Sequence, residues 1–170
     1  MEYIYLGKIV GTHGIKGEIR IISDFRYKEK VFVKNFPIYI GKKYEKEVIE
    51  TYRVHKSFDM ITMKGYTNIN EVLKYKSYPV YIKREDLKLA SNEILDEDLI
   101  GLPIMMNNEV KGVVEKVILG SQDKLLIKNG EKIYYIPYVK EIVKEIIPTK
   151  KIIIENISGY THMKELSFTT

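Results

Sequence analysis

The 170-residue chain contains no cysteine, and this absence excludes disulfide bonds, thiolate metal sites and a cysteine nucleophile. No apolar run reaches the roughly 18 residues that a transmembrane helix requires, so we expect no membrane partner. The first residues, MEYIYLGKIVG, lack the basic start and long apolar core of a signal peptide. These three absences together predict a cytoplasmic protein.

Two scarce residue types narrow the fold and the chemistry further. Alanine, the best helix former, occurs once, at Ala90, whereas tyrosine occurs 14 times and isoleucine and valine are abundant. This excess of strand formers predicts a mostly-β fold. The three histidines, His13, His55 and His162, are far apart in sequence. Their spacing argues against a histidine metal cluster, and we expect neither a metal nor a cofactor.

The charge is unevenly divided along the chain. The 28 Lys and Arg and 23 Asp and Glu give a formal charge of +5 and a pI near 9.1. Residues 1–90 carry 18 basic and 11 acidic side chains, for +7, whereas residues 91–170 carry 10 and 12, for −2. Such asymmetry predicts two modules with different partners, and the basic sign of the first favours nucleic acid.

The polar segment LKLASNEILDED, without sustained alternation, marks the boundary between the modules. We expect an N-terminal domain over 1–84, a linker over 85–97 and a second domain over 98–158. The tail, 159–170, has no strong periodicity and is expected to fray.

The first half alternates apolar and polar residues in five or six short runs. Two of them form a predicted hairpin around Lys56 and Ser57. Asn68, followed three residues later by Glu71, predicts a capped helix. Five or six strands and one helix in this length predict a small closed barrel.

The second half predicts another small β-barrel. A hairpin closes around NNE, and a second closes at Asn129-Gly130, where both central residues need a positive φ. Apolar residues then recur at helical spacing, which predicts a short helical turn that Pro148 ends. The recurring residues are Val139, Ile142, Val143 and Ile146.

A glycine-rich segment, residues 11–18 (GTHGIKGE), connects the first two predicted strands. Its glycine spacing matches neither a phosphate-binding loop nor a dinucleotide fingerprint, since no helix follows. One interpretation is a turn that needs several positive φ angles. The other is a loop whose backbone N–H groups, with Lys16 and Arg20, contact a phosphate backbone. The segment alone does not distinguish them.

Other polar groups admit two interpretations each. His13 is more easily explained as a contact residue than as a general base, because no nucleophile or orienting carboxylate accompanies it in sequence. The carboxylates Glu93, Asp96, Glu97 and Asp98 are interpreted as solvated linker. Lysines interleaved with aromatic residues over 25–46 suit RNA binding. They equally suit a β-protein with protected strand edges.

Four segments, in order, resemble the RimM ribosome-maturation factors over about residues 4–157. The first, residues 7–18 (GKIVGTHGIKGE), is similar to the opening of that family, and Asp98-Leu99-Ile100-Gly101 is similar to its second-domain entry. The other two are residues 120–127 (GSQDKLLI) and Ile136-Pro137-Tyr138-Val139.

This resemblance implies an N-terminal six-stranded barrel like those of translation factors and a C-terminal PRC-barrel. It implies a monomeric, non-enzymatic assembly factor that binds small-subunit ribosomal protein 19. Its further partners would be the 30S precursor and 16S rRNA, in assembly of the 30S head and rRNA maturation. His13, Gly14, Lys16, Gly17 and Arg20 are the implied rRNA or precursor contacts.

One departure concerns the ribosomal-protein contact. The family commonly carries two adjacent tyrosines before the second domain, and the matching residues here are Ile94 and Leu95. We expect this apolar pair to make the contact without the hydroxyls. Two alternatives remain open: an RNA-binding barrel with no ribosomal-protein partner, and an enzyme that uses His13 with nearby carboxylates.

Overall fold

The computed structural model of the chain describes residues 2–155 and 166–167. The chain divides into two compact units, Met1–Ala90 and Ser91–Thr170. Both are built from β-sheet, which confirms the predicted mostly-β class. The division falls inside the polar segment at 87–98. The predicted tail, 159–170, lies outside the described residues except for the backbone of Leu166–Ser167.

Unit 1 is a closed barrel of six strands in the order β1-β2-β5-β4-β3-β6, which confirms the predicted barrel. Its apolar positions alternate along the strands, as burial of one face requires. Inward-facing residues such as Ile4, Leu6, Ile21, Ile38 and Ile82 are at most 2% exposed. The strands are β1 (Tyr3–His13), β2 (Glu18–Ile22), β3 (Pro37–Ile40), β4 (Glu45–His55), β5 (Phe58–Met63) and β6 (Pro79–Lys83).

Unit 1 also contains two short helices. The helix α2 (Ile69–Val72) begins after Asn68, and Glu71 accepts a hydrogen bond from the Asn68 N–H at 3.1 Å, as the capping pattern predicted. A 3₁₀ turn, Leu73–Tyr75, continues it. The helix α1 (Lys28–Val31) was not predicted, because its four residues are too few to show helical periodicity. A second 3₁₀ turn, Arg84–Asp86, follows β6.

Unit 2 begins with a short helix and continues as one sheet of seven strands, in the order β11-β12-β7-β8-β9-β10-β13. Its core includes Leu99, Ile104, Ile127, Ile136 and Ile152. The elements are α3 (Asp96–Leu99), β7 (Pro103–Met106), β8 (Glu109–Ile118), β9 (Lys124–Asn129), β10 (Lys132–Pro137), β11 (Val143–Ile147), β12 (Lys151–Ile154) and β13 (Leu166–Ser167).

Two local predictions in unit 2 are wrong. Helical spacing predicted a helical turn up to Pro148, but only residues 139–143 turn, and β11 (Val143–Ile147) is a strand because it pairs with β12. The hairpin after β9 turns at Gly130-Glu131, because Asn129 already pairs with Lys132. Only Gly130, at φ +63°, has a positive φ in this turn, which fits a turn with glycine at the first central position.

Candidate nucleic-acid and protein interfaces

The glycine-rich segment forms the tight turn between β1 and β2 and packs against α2. The Ile69 N–H donates to the Ile15 carbonyl at 3.0 Å. Gly17, at φ +89°, lies against the helix start, where an added Cβ would be 3.0 Å from the Asn68 oxygen. Glycine at 17 is therefore required twice, by the backbone conformation and by the close approach. The turn holds the exposed His13, Gly14 and Lys16 at one end of the barrel.

The β4–β5 hairpin brings charged residues from far along the chain to this turn. The Arg53 guanidinium donates two hydrogen bonds to the Glu18 carboxylate, at 2.8 and 2.6 Å. The His13 and His55 rings lie 5.4 Å apart between centroids. The hydrogen bond from Arg53 lowers the pKa of the Glu18 carboxyl, and the charges of Arg53, His13 and His55 act in the same direction. Glu18 is therefore an anion tied to an arginine, a poor general acid or base.

Arg20 lies across the outer face of the sheet rather than projecting from the turn. Its guanidinium carbon is 5.5 Å from the centre of the Phe58 ring, a cation–π contact. A Cβ at Gly11 would be 2.9 Å from its terminal nitrogen, so the side chain occupies the space that this glycine leaves. The Arg20 Nε is buried without a hydrogen-bond partner. Arg20 is thus a half-buried, fixed cation beside the exposed turn.

The Arg53–Glu18 hydrogen bonds and the His13–His55 contact bring the β1–β2 turn close to the tip of the β4–β5 hairpin, and we call this cationic region the turn surface. Within the described chain, the exposed Lys16 and Lys56 have no hydrogen-bond or ion-pair partner. They flank His13, His55 and the Arg53–Glu18 pair. Such a surface suits a phosphate group, which accepts charge-assisted hydrogen bonds from several cations at once.

Sequence reasoning found the β1–β2 turn but missed its hairpin partners. The β4–β5 hairpin lies about 40 residues later, and no local motif marks its contributing residues, Arg53, His55, Lys56 and Phe58. The hairpin prediction around Lys56 and Ser57 was correct. The missing information was tertiary: the Arg53–Glu18 hydrogen bonds and the His13–His55 contact join the two hairpins, and no local pattern encodes them.

Two lysines of the predicted RNA-binding segment form ion pairs within unit 1. The Lys28 ammonium lies 2.8 Å from the buried Asp59 carboxylate, and Lys34 lies 3.2 Å from Glu50. The nearby Phe32 is buried and stacks on Tyr52, with ring centroids 5.1 Å apart. This part of the lysine- and aromatic-rich segment therefore stabilises the barrel.

Ile94 and Leu95 occupy different environments. Leu95 is 3% exposed, whereas Ile94 is half-buried against the core of unit 2. Ile94 also lines a cavity of about 420 Å³. The other apolar side chains that line this cavity are Tyr138, Val139, Val143 and Ile146. Lys140 and Lys144 also line it. Of the two residues, Ile94 is the one that an incoming side chain can reach.

The four carboxylates of the polar segment lie in and just before α3. Asp96 and Asp98 fall within α3, where acidic residues in the first turn favour the helix dipole. In residues 2–155, no group of three or more histidine and acidic side chains could hold a metal ion. None of the helices in that range is both long and apolar enough to cross a bilayer.

Comparison with known proteins covers both units. The model of the RimM N-terminal domain matches residues 4–87. The chain is 36% identical over 167 residues to the ribosome maturation factor RimM of an Exiguobacterium species, with 94% of this chain and 96% of that protein covered. It is 36% identical over 163 residues to the same factor of Staphylococcus haemolyticus, covering 92% and 97%.

A solved structure is also similar, at lower identity. The solution structure of the N-terminal domain of RimM from Thermus thermophilus is 16% identical, covers 52% of this chain and 98% of that domain, and gives a TM-score of 0.45. Identity above one third along nearly the full length of the curated relatives is the decisive finding. The chain belongs to the RimM family.

Proposed function

We propose that this protein is a ribosome assembly factor that binds small-subunit ribosomal protein 19 and supports assembly of the 30S head and maturation of 16S rRNA. The observation that carries the proposal is its 36% identity, over 94% of the chain, to a protein named ribosome maturation factor RimM. Such a factor acts in the cytoplasm, as a monomer, by binding rather than by catalysis.

The turn surface of unit 1 supports contact with rRNA. Lys16, Lys56 and His13 are exposed, and unit 1 carries +7. Lysine, imidazole and backbone N–H groups together bind phosphate oxygens. Such contacts position a protein on the nucleic acid without recognising the base sequence. Gly14 and Gly17 contribute through the shape of the turn, and Arg20 contributes a fixed positive charge beside it.

The chemistry around Ile94 supports contact with a ribosomal protein. An apolar residue that lines an open cavity can receive an apolar side chain, and such buried anchors dominate protein interfaces. The carboxylates of Glu93, Asp96, Glu97 and Asp98 surround it in sequence, which favours a basic partner. Leu95 is buried, so it supports this contact through the local fold and not by touching the partner.

The test is cross-linking of the full chain to purified 30S precursors, with the cross-linked peptides and rRNA nucleotides identified. We expect cross-links from residues near Ile94 to ribosomal protein 19 and from the turn surface to 16S rRNA. A parallel titration measures binding of purified ribosomal protein 19. Cross-links to rRNA alone, together with no binding of ribosomal protein 19, would instead support an RNA-binding barrel without that partner. Turnover of a small substrate that depends on His13 would overturn the binding mechanism.

A further inference from the structure

Five tyrosines cover one part of the outer face of the unit 1 barrel. Strand register places Tyr5 opposite Tyr81, and Tyr81 opposite Tyr39. The next residue in this row, on β4, is Lys46, opposite Tyr39. Tyr3 and Tyr44 complete the group, which we call the tyrosine cluster (Tyr3, Tyr5, Tyr39, Tyr44 and Tyr81).

The rings of the cluster contact one another in two layers. Tyr3 and Tyr44 are stacked, with centroids 3.9 Å apart and planes 7° apart. Tyr81 meets Tyr44 edge-to-face at 5.1 Å and Tyr5 at 6.0 Å. Tyr39 is 5% exposed beneath them, whereas Tyr44 is 38% exposed and Tyr5 is 55% exposed. Tyr44 is thus the outer member of a stack, a position where another flat ring can be added.

The cluster is not needed to fill the barrel. The inward side chains of the same strands, including Ile4, Leu6, Ile40 and Ile82, already form the core at no more than 2% exposure. Tyr44 adopts φ +52°, a conformation that non-glycine residues rarely take. A bulky aromatic residue held in this conformation, with its ring on the surface, points to a binding role rather than a packing role.

Positive charge accompanies these rings. The Lys83 ammonium lies 4.9 Å from the centre of the Tyr39 ring and 5.9 Å from that of Tyr3, and Glu85 lies 3.8 Å from the same ammonium. Lys42 and Lys43, both exposed, precede Tyr44 in the β3–β4 turn. The Glu47 carboxylate is directed elsewhere on β4, where it accepts hydrogen bonds from the Tyr66 and Tyr75 hydroxyls.

We propose that the tyrosine cluster is a stacking platform for unpaired bases of an RNA strand, separate from the turn surface. Exposed aromatic rings flanked by lysines are the combination that binds single-stranded nucleic acid, the rings taking the bases and the lysines the phosphates. A protein partner fits less well, because lysine is depleted at the centres of protein interfaces. Tyr3 and His13 lie at opposite ends of β1, roughly 30 Å apart for an extended strand, so one nucleotide cannot reach both surfaces.

The experiment titrates the full chain with a fluorescein-labelled, unstructured oligouridine and measures anisotropy at several salt concentrations. The test variant carries Tyr5→Leu and Tyr44→Leu, which keep apolar bulk and remove both exposed rings. The matched variant carries Tyr5→Phe and Tyr44→Phe, which keep the rings. Tyr135→Leu, in unit 2, controls for loss of a tyrosine elsewhere. Because the chain has no tryptophan, its fluorescence comes from its 14 tyrosines, five of which form the cluster.

We expect the leucine variant to bind at least about fivefold more weakly, since stacking on one aromatic ring contributes on the order of 1 kcal/mol or more per base. The phenylalanine and Tyr135→Leu variants should bind as the wild type does. The slope of log affinity against log salt should not change, because no phosphate contact is lost. A thermal melt checks that the leucine variant remains folded. If that variant is unfolded, wild-type tyrosine fluorescence is measured instead, and an absence of quenching by oligouridine overturns the proposal.

Other results also overturn this proposal. Equal affinity of wild type and the leucine variant would exclude base stacking at the cluster. Loss of binding to 30S precursors with unchanged oligouridine affinity would assign the cluster to a protein partner. The proposed function is tested by different ligands, ribosomal protein 19 and 30S precursors, so it can fail while oligouridine still binds the cluster, and the converse also holds.

Discussion

The Tyr52 hydroxyl donates a 2.6 Å hydrogen bond to the Asp59 carboxylate across the β4–β5 hairpin. Asp59 is 2% exposed, and its other oxygen lies 2.8 Å from the Lys28 ammonium. Burial and this hydrogen bond raise the pKa of the Tyr52 hydroxyl, so it stays protonated as a donor. The helix α1, which carries Lys28, is thereby joined to the barrel wall through a buried charge.

Removal of the Tyr52 hydroxyl should destabilise unit 1. We expect Tyr52→Phe to lower the free energy of unfolding by about 1.5 kcal/mol, because a buried carboxylate loses one of its two partners. Urea denaturation measures the change. Tyr135→Phe, on a half-buried tyrosine of unit 2, is the control and should leave stability within about 0.5 kcal/mol of wild type. Equal stability of Tyr52→Phe and wild type would mean that the Lys28 ion pair alone satisfies Asp59.

The two glycines of the β1–β2 turn should differ in their response to alanine. Gly14 has φ +67° and open space around its Cα, so Gly14→Ala should cost roughly 1–2 kcal/mol for the left-handed conformation alone. Gly17→Ala adds a contact 3.0 Å from the Asn68 oxygen and should cost about 1 kcal/mol more. The free energies of unfolding of the two variants give this comparison directly. A smaller loss at Gly17 than at Gly14 would show that α2 moves away without cost.

The Arg53–Glu18 pair predicts a pH dependence of stability. Its hydrogen bonds lower the folded-state pKa of Glu18 below the ordinary value of 4.5. The pair therefore stabilises the fold above pH 4.5, and this contribution is lost as the pH falls through the lower folded-state pKa. We expect wild type to lose more stability than Glu18→Gln between about pH 5 and pH 3, measured as urea midpoints.

The control for this prediction is Glu115→Gln, at an exposed glutamate on β8. Its acid loss of stability should match that of wild type. If Glu18→Gln also matched wild type over the same pH range, the ion pair would contribute nothing to stability.

Ile94 and Leu95 should separate binding from folding. Ile94→Asp places a carboxylate at the half-buried cavity wall, so we expect binding of ribosomal protein 19 to weaken at least tenfold while unit 2 stays folded. Leu95→Asp buries a charge at a position 3% exposed and should unfold unit 2. Calorimetric titration and thermal melts measure the two effects. Val110→Asp, at a residue 59% exposed on β8, is the control, and equal affinities of Ile94→Asp and Val110→Asp would place the interface elsewhere.

Local sequence patterns predicted much of the fold, because the barrel strands and the start of α2 are determined by residues close together in the chain. Alternating burial gave the strands of the barrel, and the spacing of Asn68 and Glu71 gave the start of α2. The segment 143–147 was mistaken for helix because its apolar spacing fits both structures, and pairing with β12 decides between them. That pairing depends on residues 151–154 and is invisible in a short sequence window.

The candidate sites were predicted less completely, for a related reason. The β1–β2 turn is visible in sequence because its glycines, Gly11, Gly14 and Gly17, recur every three residues within one short segment. Its contacts with Arg53 and His55, and the meeting of Tyr5, Tyr81 and Tyr39, depend on strand order and register. Bulges at Tyr5/Gly7 and Ile9/Gly11 shift that register within β1 itself. One-residue shifts of this kind change which face a side chain occupies, and alternation alone does not specify them.

The pairing of β1 with β6 determines when unit 1 can complete its fold during synthesis. Tyr3 lies opposite Lys83, so the first strand made is held in place by the last strand of the barrel. The ribosome makes the chain from the N-terminus. One edge of β1 therefore stays unpaired until about 80 further residues have been made. Contacts this distant in sequence slow folding, because the connecting chain must lose its freedom before they form. Unit 1 therefore cannot close its barrel until residues 79–83 have left the ribosome that makes it.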